Sequence, residues 1–405
     1  MTPEVDAAAH IHSTAIVVDT HADTPQRFLD EQFDLADPLG GGQLNLDAAH
    51  AGNLSAEFFS IWVEPTRYKG QYARRTLELI DSVKHQVARH PDRVAFVTDP
   101  QGIEEAHRAH RFAALMGIEG GHSIENSLAL LRQYHALGVR YMTLTWSNST
   151  DWADSSGDLD DPAAPHTKNG LTPFGEEVVR EMNRLGVMVD ISHVSDATFH
   201  RALAVSRAPV IASHSGARAL CDHPRNLTDE MLSAVATSGG PHSKGGVVQV
   251  NFYSGFVSQE YCDAWKALQP EVRGEVADSQ AKAKAEGRAL SYAEENRIRR
   301  AYMDKIPRPP LSRLIDHIDH IARVAGVDHV GLGSDFDGVN GQLPEGLDSA
   351  ADLPKITQAL LDRAYTPVDC RKILGGNLLR VFREVGAISG ALQAESDHPG
   401  NRPRP

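Results

Sequence analysis

Eight short apolar runs, each followed by a stretch of helical periodicity, constrain the fold of this chain more than any other feature. The runs cover residues 16–19, 56–63, 113–118, 139–145, 187–191, 209–212, 246–251 and 329–333. Each is nearly continuous in apolar, often β-branched residues, as a strand buried on both faces requires. Helical patterns lie between them, among them residues 72–89, 127–137, 174–185, 195–206 and 311–325. Alternating units of this kind build a parallel sheet, and eight of them close into a (β/α)8 TIM-like barrel. An open doubly wound sheet shares the alternation, but no Gly-rich dinucleotide loop follows the first run. Ser195 and Thr366-Pro367 read as helix starts and Leu137-Gly138 as a helix stop.

Residues 259–308 break the rhythm. They are charged, Ala-rich and helix-forming, and are expected to form a helical insertion between strands seven and eight, over or beside the barrel mouth. A solvated helical hairpin without a role in chemistry is the simpler expectation for such a segment. Residues 1–390 are read as one domain, and the polar, Pro-containing residues 391–405 as a disordered tail.

Composition narrows the function classes. Apolar residues make up 41% of the chain, enough for a sizeable core, while the formal net charge of −14 argues against a nucleic-acid partner and against docking on an anionic membrane. The three cysteines, Cys221, Cys262 and Cys370, fit no zinc-finger spacing, and a single bridge such as Cys221–Cys262 stays open. Residues 1–9 carry no secretory signal, and neither a bilayer-spanning run nor a C-terminal lipid-anchor signal is visible. The expected location is therefore the cytoplasm.

Function concentrates at the strand ends. The first run leads into His21-Ala22-Asp23, the third into Glu119, the fifth into His193, the sixth into His214 and the eighth into Asp335 and Asp337. In a parallel barrel these ends share one rim, where barrel enzymes place catalysis. His21 and Asp23, two apart in an extended segment, point the same way and can share a metal; taken alone, the pair reads better as a strand-end turn in which Asp23 caps a helix and His21 is incidental. Singly, each histidine is more often a hydrogen-bonded core or surface residue. Together, neutral nitrogens and anionic oxygens are the donor mix that zinc prefers.

These residues sit in motifs that resemble the membrane (renal-type) dipeptidase family. The motifs are Val18-Asp19-Thr20-His21-Ala22-Asp23, Gly117-Ile118-Glu119-Gly120-Gly121-His122, Asp190-Ile191-Ser192-His193 and Ala212-Ser213-His214-Ser215. Arg225-Asn226-Leu227, Val250-Asn251-Phe252-Tyr253, Gly333-Ser334-Asp335-Phe336-Asp337-Gly338 and Gly376-Asn377-Leu378-Leu379-Arg380-Val381 continue the series in order. The resemblance implies two zinc ions per chain: His21 and Asp23 on the first, His193 and His214 on the second, Glu119 bridging both. It further implies Asp335 as the acid–base residue, Arg225 as the partner of the substrate's terminal carboxylate, and Tyr253 in the same pocket. A metal-bridging hydroxide would attack the peptide bond of a small dipeptide, including dipeptides with a C-terminal D-residue.

One position departs from that pattern. Trp146 stands where the family usually has a histidine that donates to the substrate carbonyl, and indole offers a single N–H in a larger volume. Oxyanion stabilisation then falls to zinc alone, or to Asn148. Two alternatives follow: a related amidohydrolase acting on N-acyl amino acids, lactams or lactones, and a non-catalytic metal-containing peptide binder. Homodimers are common among such barrels, but no interface is legible in the sequence.

Overall fold

The computed structural model describes residues 3–165 and 170–397. Among these, nine parallel strands form one sheet: β1 (Val17–Ala22), β2 (Leu54–Trp62), β3 (Val94–Phe96), β4 (Phe112–Glu119), β5 (Val139–Thr143), β6 (Met188–Asp190), β7 (Ile211–Ser215), β8 (Val247–Asn251) and β9 (Val330–Gly333). β1 pairs with both β2 and β9, and β2 pairs with β4, so eight strands close a barrel. The extra strand, β3, lies outside it on the start of β4, and its three residues are too few to stand out as an apolar run. Every residue of the eight barrel strands is buried except Arg140, which explains why their sequences read as continuous rather than alternating hydrophobic segments.

The expected caps form. Ser195 accepts the Thr198 N–H, Gly138 closes its helix in the left-handed conformation at φ 112°, and Thr366 makes a capping box with Asp369. The closing segment is not one continuous helix from Thr366, however. A wider turn at Lys372–Gly376 interrupts it before the helix Asn377–Asp397. That helix packs Leu378, Phe382 and Val385 against Val18, Ala56, Ala113 and Val247 near the N-terminal starts of their strands. It also corrects the expected tail: residues 391–397 are helical, held by Gln393 donating to the Arg184 carbonyl at 2.9 Å and by Arg207 pairing with Glu395 at 3.0 Å. Residues 398–405 lie outside the described residues.

Between β8 and β9 the insertion folds as the helices Gln259–Ala285 and Tyr292–Met303, each started by a serine cap, Ser258 and Ser291. All three cysteines are free and buried, so Cys221 and Cys262 form no bridge. Among the described residues no helix is long and apolar enough to cross a membrane.

One buried imidazole ties the outer layer to the loop after β7. His317, on the helix Leu311–Ala325, accepts the Ala217 N–H at 3.0 Å, and burial pushes its pKa down to about 4 against the opposing pull of the Val257 carbonyl. A depressed folded pKa gives stability that is present above the unfolded value of 6.5 and lost as pH falls towards 4. His317 is therefore expected to contribute on the order of 3 kcal/mol of that loss. Melting curves from pH 7 to pH 4 should fall less steeply for His317→Gln than for the unsubstituted chain, and parallel curves would remove His317 from the acid transition.

Candidate metal centre and active site

The C-terminal ends of the strands deliver their polar side chains to one mouth. β1 ends at His21-Ala22 with Asp23 following, β4 ends on Glu119, and β7 carries His214. His193 and Asp335 lie just beyond β6 and β9 and both adopt left-handed backbone, at φ 65° and 63°. Such a conformation costs a non-glycine residue of order 1–3 kcal/mol and concentrates at functional sites. Here it turns the chain sharply where two side chains must reach the rim.

Glu119 is the meeting point. Its Oε2 lies 3.4 Å from His21 Nε2, and its Oε1 lies 2.8 Å from His193 Nε2 and 3.5 Å from His214 Nε2. His193 and His214 bring their Nε2 atoms within 2.9 Å of each other, and His21 Nε2 is 3.9 Å from Asp23 Oδ2. Each carboxylate oxygen of Glu119 thus faces a different set of imidazoles. Asp335 joins His21 and Asp23 in one potential ligand group, while His21, Glu119 and His214 make another. Asp23 precedes a helix, but its side chain makes no capping bond, which leaves the carboxylate to the cluster.

The donor set fits cations of the zinc type. His21 Nε2 and Asp23 Oδ1 are buried and without hydrogen-bond partners, a costly arrangement unless an ion satisfies them. The protonation balance shows the same demand. Burial opposes a charge on His21, yet Glu119, Asp23 and Asp335 together raise its pKa to about 10. Burial and the Glu119 charge hold Asp23 well above the usual carboxylate range. His193 is pushed down to about 3 and His214 also far down, chiefly by burial, with Arg225 pushing the same way. Burial alone would raise Glu119, but the three histidines hold it well below its ordinary value.

A supporting layer fixes the rings. Tyr141 Oη lies 3.0 Å from the Thr20 carbonyl and 2.9 Å from His21 Nδ1. The single phenol proton goes to the carbonyl, so towards His21 the oxygen accepts. That places the imidazole proton on Nδ1 and leaves the Nε2 lone pair facing the cluster. Space for the phenol comes from Gly117, where a Cβ would stand 2.0 Å from the Tyr141 ring. His214 Nδ1 contacts Ser213 Oγ at 2.7 Å, and Ser213 donates to Asp190 at 2.6 Å. Removing the hydroxyl with Tyr141→Phe should weaken metal binding about 10- to 100-fold with the fold unaltered. Competition with a chromogenic chelator measures this, and unchanged affinity would mean that the hydroxyl does not orient His21.

The cluster opens into a cleft of about 450 Å³ lined by Trp146, Arg225, Tyr253 and Asp335 together with Trp265, Lys266, Tyr292 and Met303 of the insertion. The insertion is therefore part of the cleft wall, not a detached solvated hairpin. Arg225 is buried and forms no ion pair among the described residues. Its Nη2 donates to the His214 carbonyl at 3.1 Å, its Nε has no partner, and its guanidinium lies 5.3 Å from the Phe256 ring centre. Burial lowers its pKa to about 10, still cationic at neutral pH. Asp335 accepts from Asn251 Nδ2 at 2.9 Å, and burial, seconded by Glu119 and offset by His21, Asn251 and Arg225, raises its pKa. A Cβ on Gly338 would meet Asp23 Oδ2 at 2.2 Å and Asp335 Oδ1 at 2.3 Å, so both carboxylates depend on a glycine there. Asn148 is not among the cleft-lining residues, and its Nδ2 donates instead to the Ser149 carbonyl at 3.4 Å. Ser147 lines the cleft in its place and lies 3.5 Å from His193 Nδ1. Tyr141, Trp62 and Tyr292 were not singled out by sequence. Asn251, by contrast, lies inside a motif that was.

Comparison with known proteins agrees along the chain. The family model for membrane dipeptidase (peptidase family M19) matches residues 5–396. Dipeptidase 3 of Homo sapiens is 33% identical over 385 residues, covering 94% of this chain and 67% of the human protein. Dipeptidase 3 of Mus musculus is 35% identical over 347 residues, 86% of this chain and 59% of its own length, so this chain spans roughly two thirds or less of these relatives. Among solved structures, the probable dipeptidase PvdM from Pseudomonas aeruginosa superposes with a TM-score of 0.81 at 26% identity, over 96% of this chain and 100% of that one. Dipeptidase AC, a metallopeptidase of family M19, superposes with a TM-score of 0.72 at 25% identity, over 92% and 98%. The likeness runs from before β1 to the closing helix, so the chain belongs to the membrane dipeptidase family, peptidase family M19.

Proposed function

We propose that the chain is a zinc-dependent dipeptidase, with His21 and Asp23 holding one ion, His193 and His214 a second, and Glu119 shared between them. The observation that carries the proposal is Glu119, whose two oxygens face separate imidazole sets 3.4 Å and 2.8 Å away, above a cleft containing a buried guanidinium whose Nε has no partner. When bound, two such ions supply a hydroxide nucleophile at neutral pH and polarise the scissile carbonyl.

The remaining steps belong to the protein. Arg225 pairs its planar fork with the substrate's terminal carboxylate, which fixes the C-terminal residue against the His214 side of the cluster. The carboxylate lies on the α-carbon whatever the hand of the side chain, so the proposal includes C-terminal D-residues. Asp335 stands within the His21–Asp23 group, with one oxygen anchored by Asn251. It takes the proton of the attacking nucleophile and delivers it to the leaving amine. Burial supports this role by raising its pKa towards the working range of an acid–base group. Trp146 and Tyr253 line the cleft beside the cluster.

Metal analysis should find about two zinc equivalents per chain, falling to about one in His193→Ala. Asp335→Asn should lower kcat by about 100-fold or more while metal content holds. Full activity in that variant would remove Asp335 from proton transfer. Hydrolysis of a library of L,L and L,D dipeptides should stop on adding a chelator and return with zinc. A protein that holds two zinc ions and cleaves no dipeptide would shift the assignment to an N-acyl amino acid, lactam or lactone hydrolase, or to a binder.

A further inference from the structure

The cleft has two chemically different ends. Arg225 stands on the side of His193 and His214, reaching the His214 carbonyl at 3.1 Å. On the side of Asp23 stand Trp62 and Tyr292, and Trp146 reaches across from Trp62 to His193, whose ring centre lies 6.3 Å from its own. Trp62, at the end of β2, has its ring centre 4.9 Å from that of Trp146, after β5, and 5.4 Å from that of Tyr292, in the first turn of the second insertion helix. Asp23, Trp62 and Tyr292 line both the catalytic cleft and a second cavity of about 460 Å³ beyond it, which Arg225 does not reach. The Trp62 side chain is buried, and its indole N–H has no hydrogen-bond partner.

This asymmetry orients a dipeptide. With its carboxylate on Arg225 and its scissile carbonyl over Glu119, its first residue falls on the Asp23 side, among the three rings. We infer that Trp62, Trp146 and Tyr292 form the seat of the substrate's N-terminal side chain and select dipeptides whose first residue is aromatic or bulky and apolar. The inference rests on the hydrolase assignment above. Ring faces and edges give a large side chain offset and edge-to-face contacts that glycine or alanine cannot make. The second cavity is lined largely by charged groups, among them Arg27, Asp30, Arg297 and Asp337, so the apolar seat ends at Trp62 and Tyr292. Trp146 also acquires a reason to replace a hydrogen-bond donor, since it packs on Trp62 and extends the wall. Tyr292 is held firmly for this purpose, because the Ser291–Glu294 capping box anchors the turn that carries it.

The zinc-loaded full chain tests this with Phe-Ala, Gly-Ala and Ala-Phe. The expected result is a kcat/KM for Phe-Ala at least about tenfold above that for Gly-Ala. That ratio should shrink to about threefold or less in Tyr292→Ala, with zinc content unchanged, and return in Tyr292→Phe. A ratio near one in the unsubstituted chain overturns the inference, as does an undiminished ratio in Tyr292→Ala or a preference that follows the second residue through Ala-Phe. Those outcomes leave the hydrolase assignment standing. A zinc-loaded protein that cleaves neither these three nor their L,D counterparts overturns the dipeptidase assignment and the inference with it.

Discussion

Glu119 is the contact on which the rest of the site depends. One carboxylate touches three imidazoles delivered by three different strands, and each oxygen serves a different set. In a buried environment such a group is tolerable only while positive charge faces it. His21 supplies some of that charge, so its pKa climbs, while burial drives those of His193 and His214 down. The arrangement is unbalanced as protein alone. Asp23 and Asp335 add carboxylates without adding cations, and the Arg225 charge only partly offsets the burial of Asp335. The geometry is that of a site completed from outside.

Around this centre the chain spends its unusual residues. Left-handed backbone occurs at His193 and Asp335, where the rim needs sharp turns immediately after strand ends. Gly117 and Gly338 clear space, one for the phenol that orients His21 and one for the two carboxylates beside it. The buried hydroxyl layer of Tyr141 and Ser213 sets ring orientation from beneath. From above, the insertion contributes Trp265, Lys266, Tyr292 and Met303 to the cleft wall. The barrel therefore holds the chemistry while a separate helical pair shapes what reaches it.

Much of this was legible in the sequence because it depends on local pattern. Buried parallel strands read as unbroken apolar runs, and residues at their C-terminal ends share a rim by geometry, so His21, Glu119, His193, His214 and Asp335 could be grouped without coordinates. What escaped depends on contacts distant in sequence. Tyr141 lies within an apolar run and looks like core; only its 2.9 Å approach to a residue 120 positions away gives its hydroxyl a task. Tyr292 sits in a charged, Ala-rich segment whose composition suggests solvent, and its role follows from the insertion folding back over Trp62. β3 is too short for periodicity to register, and the closing helix runs past Gly390 because Gln393 finds the Arg184 carbonyl. Asn148 was a reasonable donor by position, but the turn after β5 presents Ser147 to the cleft instead.

The closure of the barrel has a further consequence. β1 is sealed by β9, with Asp19 accepting from Ser334, 315 positions away in the chain. During synthesis His21 and Asp23 leave the ribosome first, and Asp335 only after most of the polypeptide has been made. Pairing so distant in sequence is reached late, because its loop entropy must be overcome before any contact rewards it. Until then His21 and Asp23 belong to an open sheet, and the complete cluster does not exist. Assembly of the rim is thus tied to the last stage of folding, when residues from the two ends of the chain first share one mouth.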